Sequence, residues 1–274
     1  MLKTRIITGA VITVFSCVVL AFSHVPWVLN MAVALLSVIS IYELYKATLK
    51  KFNIPLCVVS SLVAVAISFL PTFEEIEKYI VIVLFVMAVE GAVYFFINIK
   101  ELNRIPMWMS ILAGTCITGF YRTILSLRAM EHGLVVLIIA ILTPVITDIF
   151  AYFIGRSLGR HRLAPAISPK KTIEGSVGGT VYAVAINMLV IAILGKIGIV
   201  TLPETKPLVI YLLLASVIGQ FGDLAFSSIK RIVGIKDYGK LLPGHGGLLD
   251  RVDSLLFVMP FTYLFCQVAG TLFV

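Results

Sequence analysis

The residues best placed to do chemistry are acids where acids are expensive. Glu90, Asp148 and Asp223 each interrupt a long apolar run. An ionisable side chain deep in a bilayer costs about 2.5–3.5 kcal/mol on insertion scales, so such residues usually face a cavity and do work there. Asp223 has company in the run Gly219–Arg231. Spacings of three and four put Gln220, Asp223 and Ser227 on one helical face, with Lys230 and Arg231 a turn further on. A carboxylate below two cations is a plausible metal and phosphate station; simple charge pairing is the plain alternative, for Asp148 as well. The run Leu241–Asp253 adds Asp250 and Asp253, three apart and on one face if a helix begins there. Carboxylates with water and substrate phosphates suit Mg²⁺, which prefers hard oxygens; capping of a helix start would also favour these acids. Between them, Gly244, Gly246 and Gly247 suit a tight turn or a close approach to a ligand. His245 could bind phosphate, move a proton or hold the loop.

A second basic run, Ile167–Gly179, offers Ser168 as an N-cap and Pro169 as the first helical residue. Lys170 and Lys171 would then stand in the first turn, where the helix dipole disfavours cations unless an anion binds too. Topology alone would also place lysines here. The spacing of Gly175 and Gly179 suits close helix packing. Gly234–Lys240 fits the G-x-x-x-x-G-K pattern, but Leu241 stands where a Ser or Thr would bind Mg²⁺ and no strand precedes it, so it is no nucleotide P-loop.

The elements that must position these residues follow from composition. Of 274 residues 60% are hydrophobic and 13% charged, against about 25% charged in soluble domains. A soluble fold could not cover that much apolar surface, and the bilayer supplies the missing solvent. A spanning helix needs about 20 apolar residues. The pattern predicts nine spans, over 6–22, 27–43, 54–70, 79–97, 106–127, 133–154, 175–195, 207–228 and 254–273. The fold class is all-α, a polytopic integral membrane protein, because an open sheet in lipid would leave backbone groups unpaired. Asp148 and Asp223 then lie at matching depths, roughly 8–9 Å below the cytoplasmic surface.

Orientation follows from the basic residues. Seventeen of the 22 Lys and Arg fall on one face and five on the other, which puts the N-terminus in the cytoplasm and the C-terminus outside. Ala21–Ser23 also resembles a signal-cleavage site, whose use would leave the later topology unchanged. The connections 155–174 and 229–253 hold ten of the seventeen, so the net charge of +8 is concentrated where anions would meet it. Residues 1–105 read as scaffold and 106–274 as the catalytic region. Cys17, Cys57, Cys116 and Cys266 sit in apolar runs without metal-site spacing.

The run Ser227–Asp253, "SSIKRIVGIKDYGKLLPGHGGLLDRVD", resembles the signature of the phosphatidate cytidylyltransferase family. The matching positions are Ser227, Lys230, Arg231, Lys236, Asp237, Gly239, His245, Gly246, Gly247, Asp250, Arg251 and Asp253. Thr147–Gly175 resembles the family too, through Asp148, Tyr152, Gly155 and the "SPKKTIEG" run. The resemblance implies a bacterial inner-membrane enzyme joining CTP and phosphatidate into CDP-diacylglycerol and pyrophosphate. It implies Mg²⁺ held by Asp223 and Asp250, with Asp148, Asp253 and His245 as further catalytic candidates and a second cation left open. Lys170, Lys171, Ser227, Lys230, Arg231, Lys236, Gly246, Gly247 and Arg251 become the substrate-binding candidates. The partners implied are the two substrates and the lipid bilayer, with no nucleic acid; a homodimer is compatible. An ion-coupled anion transporter would also carry intramembrane acids, but along a route to both faces, whereas these cluster on one. A CDP-alcohol phosphotransferase would carry D-x-x-D-G-x-x-A-R, which is missing.

Overall fold

A computed structural model describes residues 2–49, 52–71, 74–97 and 105–269. Lys50, Lys51, Lys100, Arg104 and the end of the ninth expected span, with Val274, lie outside the described residues. Among the described residues the helices are α1 Leu2–Ala21, α2 Pro26–Thr48, α3 Ile54–Phe69, α4 Glu74–Ile97, α5 Met107–Ala129, α6 Gly133–Ser157, α7 Ile173–Lys196, α8 Thr205–Ile232 and α9 Leu249–Ala269. Two short strands, β1 Arg162–Ala164 and β2 Ser168–Thr172, form an antiparallel hairpin between α6 and α7. Among the described residues seven helices are long and apolar enough to cross a membrane; Ile6–Ala21 and Ile54–Phe69 are shorter apolar helices. The chain is an all-α polytopic membrane protein. Large apolar side chains such as Val11, Leu62, Val83, Leu189 and Val217 are exposed, as lipid-facing helices require.

The chain divides into two compact units. The first comprises Met1–Leu125 with Ser228–Asp253. Here Asn53 caps α3 by accepting from the Leu56 N–H at 3.1 Å, with Pro55 in the first turn. Ser40 of α2 meets Tyr121 of α5 at 2.9 Å, and Tyr45 meets Ser60 of α3 at 3.1 Å. The hydroxyl of Thr8 on α1 donates to the Pro243 carbonyl at 3.0 Å.

The second unit comprises Ser126–Ser227 with Ser254–Val274. Its tightest seam joins α6 and α7: Cβ atoms on Gly175 or Gly179 would strike the Ala151 or Thr147 carbonyl of α6. The expected close packing through these two glycines is therefore present. Phe150 and Tyr182 stack across the same seam with centroids 4.4 Å apart.

Candidate active site

In the second unit, Lys171 of β2 forms an ion pair with Asp223 of α8. The other Asp223 oxygen accepts from the Ser227 hydroxyl at 3.3 Å, one helical turn on. Below them a ladder of side chains joins three helices. The Ser176 hydroxyl donates to Gln220 at 2.5 Å and the Gln220 amide donates to Thr180 at 3.0 Å. Thr180 meets Ser216 at 2.9 Å, and Ser216 meets Thr147 at 2.8 Å. The ladder fixes the α8 face that carries Asp223 against α7 and α6. Asp148 lies on α6 and is exposed.

The hairpin corrects one expectation. Ser168, Pro169, Lys170 and Lys171 are not a cap and first helical turn; they are β2, and Thr172 caps α7 by accepting from the Gly175 N–H at 3.1 Å. The physical reason is local. The ring of Pro169 pushes Ser168 into extended backbone. Glu174 in the first turn of α7 then accepts the backbone N–H groups of Arg160 at 3.0 Å and His161 at 3.2 Å, which closes the hairpin base. The helix-dipole argument for an anion falls away. Strand alternation replaces it, with Lys170 exposed and its neighbour Lys171 turned to Asp223.

In the first unit, Asp250 lies in the opening turn of α9 and is nearly buried. Its Oδ1 accepts from Lys230 Nζ at 2.8 Å, and its Oδ2 accepts from the N–H groups of Tyr238 at 2.8 Å and Gly247 at 3.0 Å. The Lys230 ammonium also lies 5.5 Å from the Tyr238 ring centroid. Burial, then the nearby Asp253 and Asp250 carboxylates, hold the Tyr238 hydroxyl well above its ordinary value, so it stays protonated. The turn between is tight. Gly244 and Gly246 take φ of +79° and +88°, conformations that favour glycine, and Leu242 and Gly246 exchange backbone hydrogen bonds of 2.9 and 3.1 Å. With the Gly246 and Gly247 N–H groups used this way, both glycines shape the turn. Arg251 Nε donates to the His245 carbonyl at 2.9 Å, while among the described residues no hydrogen-bond partner meets His245 Nδ1. Asp253 is buried one turn beyond Asp250; Arg231, Lys236 and Arg251 are exposed.

Sequence reasoning missed Glu43. This α2 side chain is 4% exposed and accepts from the N–H groups of Leu248 at 3.1 Å and Leu249 at 2.9 Å, at the start of α9. The second expected span ended at this residue, and chemistry was sought in the two long basic connections, so Glu43 was not singled out. The available signal was Leu44 and Tyr45 directly after it, which continue the apolar pattern.

Among the described residues, no three His, Cys, Asp or Glu side chains gather as a ready-made metal site. The carboxylates nevertheless suit a hard cation, which is usually held by one or two of them plus water and substrate phosphates. An ionised carboxylate offers about four acceptor positions, and Asp250 uses three.

The cytidylyltransferase family model matches residues 3–269. The chain belongs to the cytidylyltransferase family. It is 30% identical over 265 residues to a phosphatidate cytidylyltransferase of Thermotoga maritima, covering 96% of this chain and 95% of that one. It is 47% identical over 133 residues to the protein of that name in Bacillus subtilis, and 44% identical over 155 residues to that of Brucella abortus biovar 1. These two matches span about half the length of each relative: 48% of both chains for the first, 56% of this chain and 55% of the relative for the second.

Proposed function

We propose that this chain is a phosphatidate cytidylyltransferase of a bacterial cytoplasmic membrane, transferring CMP from CTP to phosphatidate. The observation that carries the reading is the Lys230–Asp250 pair, held by the backbone N–H groups of Tyr238 and Gly247 within the segment that resembles the family signature. The near full-length Thermotoga relative supports it. The basic asymmetry supports a cytoplasmic N-terminus and cytoplasmic basic connections, with the C-terminus outside.

In the reaction a phosphatidate phosphate oxygen attacks the α-phosphorus of CTP. A new P–O bond forms as the bond to the bridging α–β oxygen breaks, and pyrophosphate leaves with the electron pair. Such a transfer needs positioning and neutralisation of charge rather than a covalent nucleophile. Lys171 and Lys230 are each held by an aspartate until a phosphate competes for the ammonium. Lys170, Arg231, Lys236 and Arg251, exposed, supply the field that draws anions in. Asp223 in the second unit and Asp250 in the first are each a candidate Mg²⁺ ligand through hard oxygens, and the metal would supply neutralisation of phosphate charge when bound. Ser227 orients Asp223. Asp148, Asp253 and His245 are the further catalytic candidates.

The test is release of pyrophosphate and formation of a cytidine lipid by purified protein given CTP, phosphatidate and Mg²⁺. Pyrophosphate release that needs phosphatidate supports the reading. Folded protein that releases none, or that uses another lipid acceptor equally well, overturns it.

A further inference from the structure

We infer that Glu43 is a positioning residue for this reaction, acting across the fold on the turn that carries Asp250; the inference rests on the activity proposed above. A helix start leaves its first N–H groups without intrahelical partners, and a negative charge suits that end of the helix dipole. At α9 both needs are met by a side chain from α2. Glu43 Oε1 accepts from Leu248 and Oε2 from Leu249, at 3.1 and 2.9 Å. The carboxylate that accepts from these two N–H groups comes from 205 residues away in sequence.

The same carboxylate occupies the space where Gly239 and Gly247 would each carry a Cβ. Neither glycine has positive φ, so close approach, rather than backbone conformation, is what these two positions require. Both touch the machinery. Gly247 donates its own N–H to Asp250, and Gly239 directly follows Tyr238, the other backbone donor to Asp250. Glu43 therefore bears on both backbone donors of the carboxylate that pairs with Lys230. Moving it moves Asp250 without touching substrate.

A structural clasp would affect folding alone, so the test separates kinetics from stability. Glu43→Gln keeps the length but turns a donor amide toward one of two backbone donors. It should lower kcat on the order of 10-fold, with KM for CTP and phosphatidate within about twofold, in protein that remains monodisperse. Glu43→Ala should lose more, and adding Gly247→Ala, whose methyl group enters the vacated space, should cost less than the product of the two single losses. Hydrogen exchange should speed up in Glu43→Gln at the Tyr238, Gly247, Leu248 and Leu249 amides. Unchanged exchange there would overturn the inference. So would faster exchange with wild-type kcat and KM per folded molecule, even with a lowered melting temperature. Wild-type protein inactive toward CTP and phosphatidate would sink the reaction reading instead, leaving the hold of Glu43 on the turn to be decided by exchange.

Discussion

The hairpin-and-α8 region and the turn-and-α9 region each present one lysine on one aspartate, but in different solvents. The side chains of Lys171 and Asp223 are 25% and 21% exposed; those of Lys230 and Asp250 are 10% and 2% exposed. A part-exposed pair contributes little net energy, about 0–1 kcal/mol, because water competes for both charges. It can also exchange partners at little cost. A buried pair is different, since removing one partner strands the other at a cost of about 3–5 kcal/mol. Asp250 is further tied by two backbone N–H groups, and Asp223 accepts from the rotatable hydroxyl of Ser227. The first pair is the more loosely tied of the two and the second the more firmly held.

The sharpest way to break this comparison is Asp250→Asn. It leaves Lys230 charged and buried, and puts an amide donor toward N–H donors or toward an ammonium. Loss of stability of about 3 kcal/mol or more should accompany loss of turnover greater than about 100-fold. Thermal melting in detergent beside pyrophosphate release checks both. A variant as stable as wild type would show that the buried pair is not what holds the turn.

Asp223→Asn should lose turnover just as severely while losing less stability than Asp250→Asn, because the side chains of this pair are the more exposed of the two pairs. Turnover measured against Mg²⁺ concentration sharpens the contrast: a metal ligand should show a shifted metal dependence in whatever activity remains. Near-normal turnover with unchanged metal dependence would remove Asp223 from the metal proposal and leave it as the partner of Lys171.

The legibility of the molecule divides along the same line between local and distant. The nine helices among the described residues were readable because an apolar run of about 20 residues is a local property. Several ends moved by a few residues, those of α8 and α9 for a local reason as well. α8 continues to Ile232 through Lys230 and Arg231, and α9 starts at Leu249, because a helix entering water keeps its backbone bonds with polar side chains. The Asp223–Ser227 contact was readable from spacing. The hairpin was not: it has three and five residues, and Pro169 inside β2 argues against a strand. Partner identity was the largest loss. Sequence neighbours suggested Lys230 and Arg231 for Asp223, but Lys171 pairs with it and Lys230 pairs with Asp250. Glu43 was lost for the same reason, since its donors lie in the last part of the chain.

The smallest expected effect tests the hairpin itself. If Lys170 and Lys171 were in the first turn of a helix, both would serve one anion and truncating either would cost about the same. As neighbours in β2 they point to opposite faces, Lys171 toward Asp223 and Lys170 into solvent. Lys171→Ala should raise KM for an anionic substrate about 10-fold, the scale of one charge-assisted hydrogen bond, with a stability change within about 1 kcal/mol. Lys170→Ala should raise it about twofold, and that smaller effect should fade at high salt, since a solvated charge acts through a field that counterions screen within about 10 Å at 0.1 M. Salt titration of KM for both variants separates the two roles. Equal and equally salt-resistant losses would put both lysines on the bound phosphate and require the hairpin to rearrange when substrate arrives.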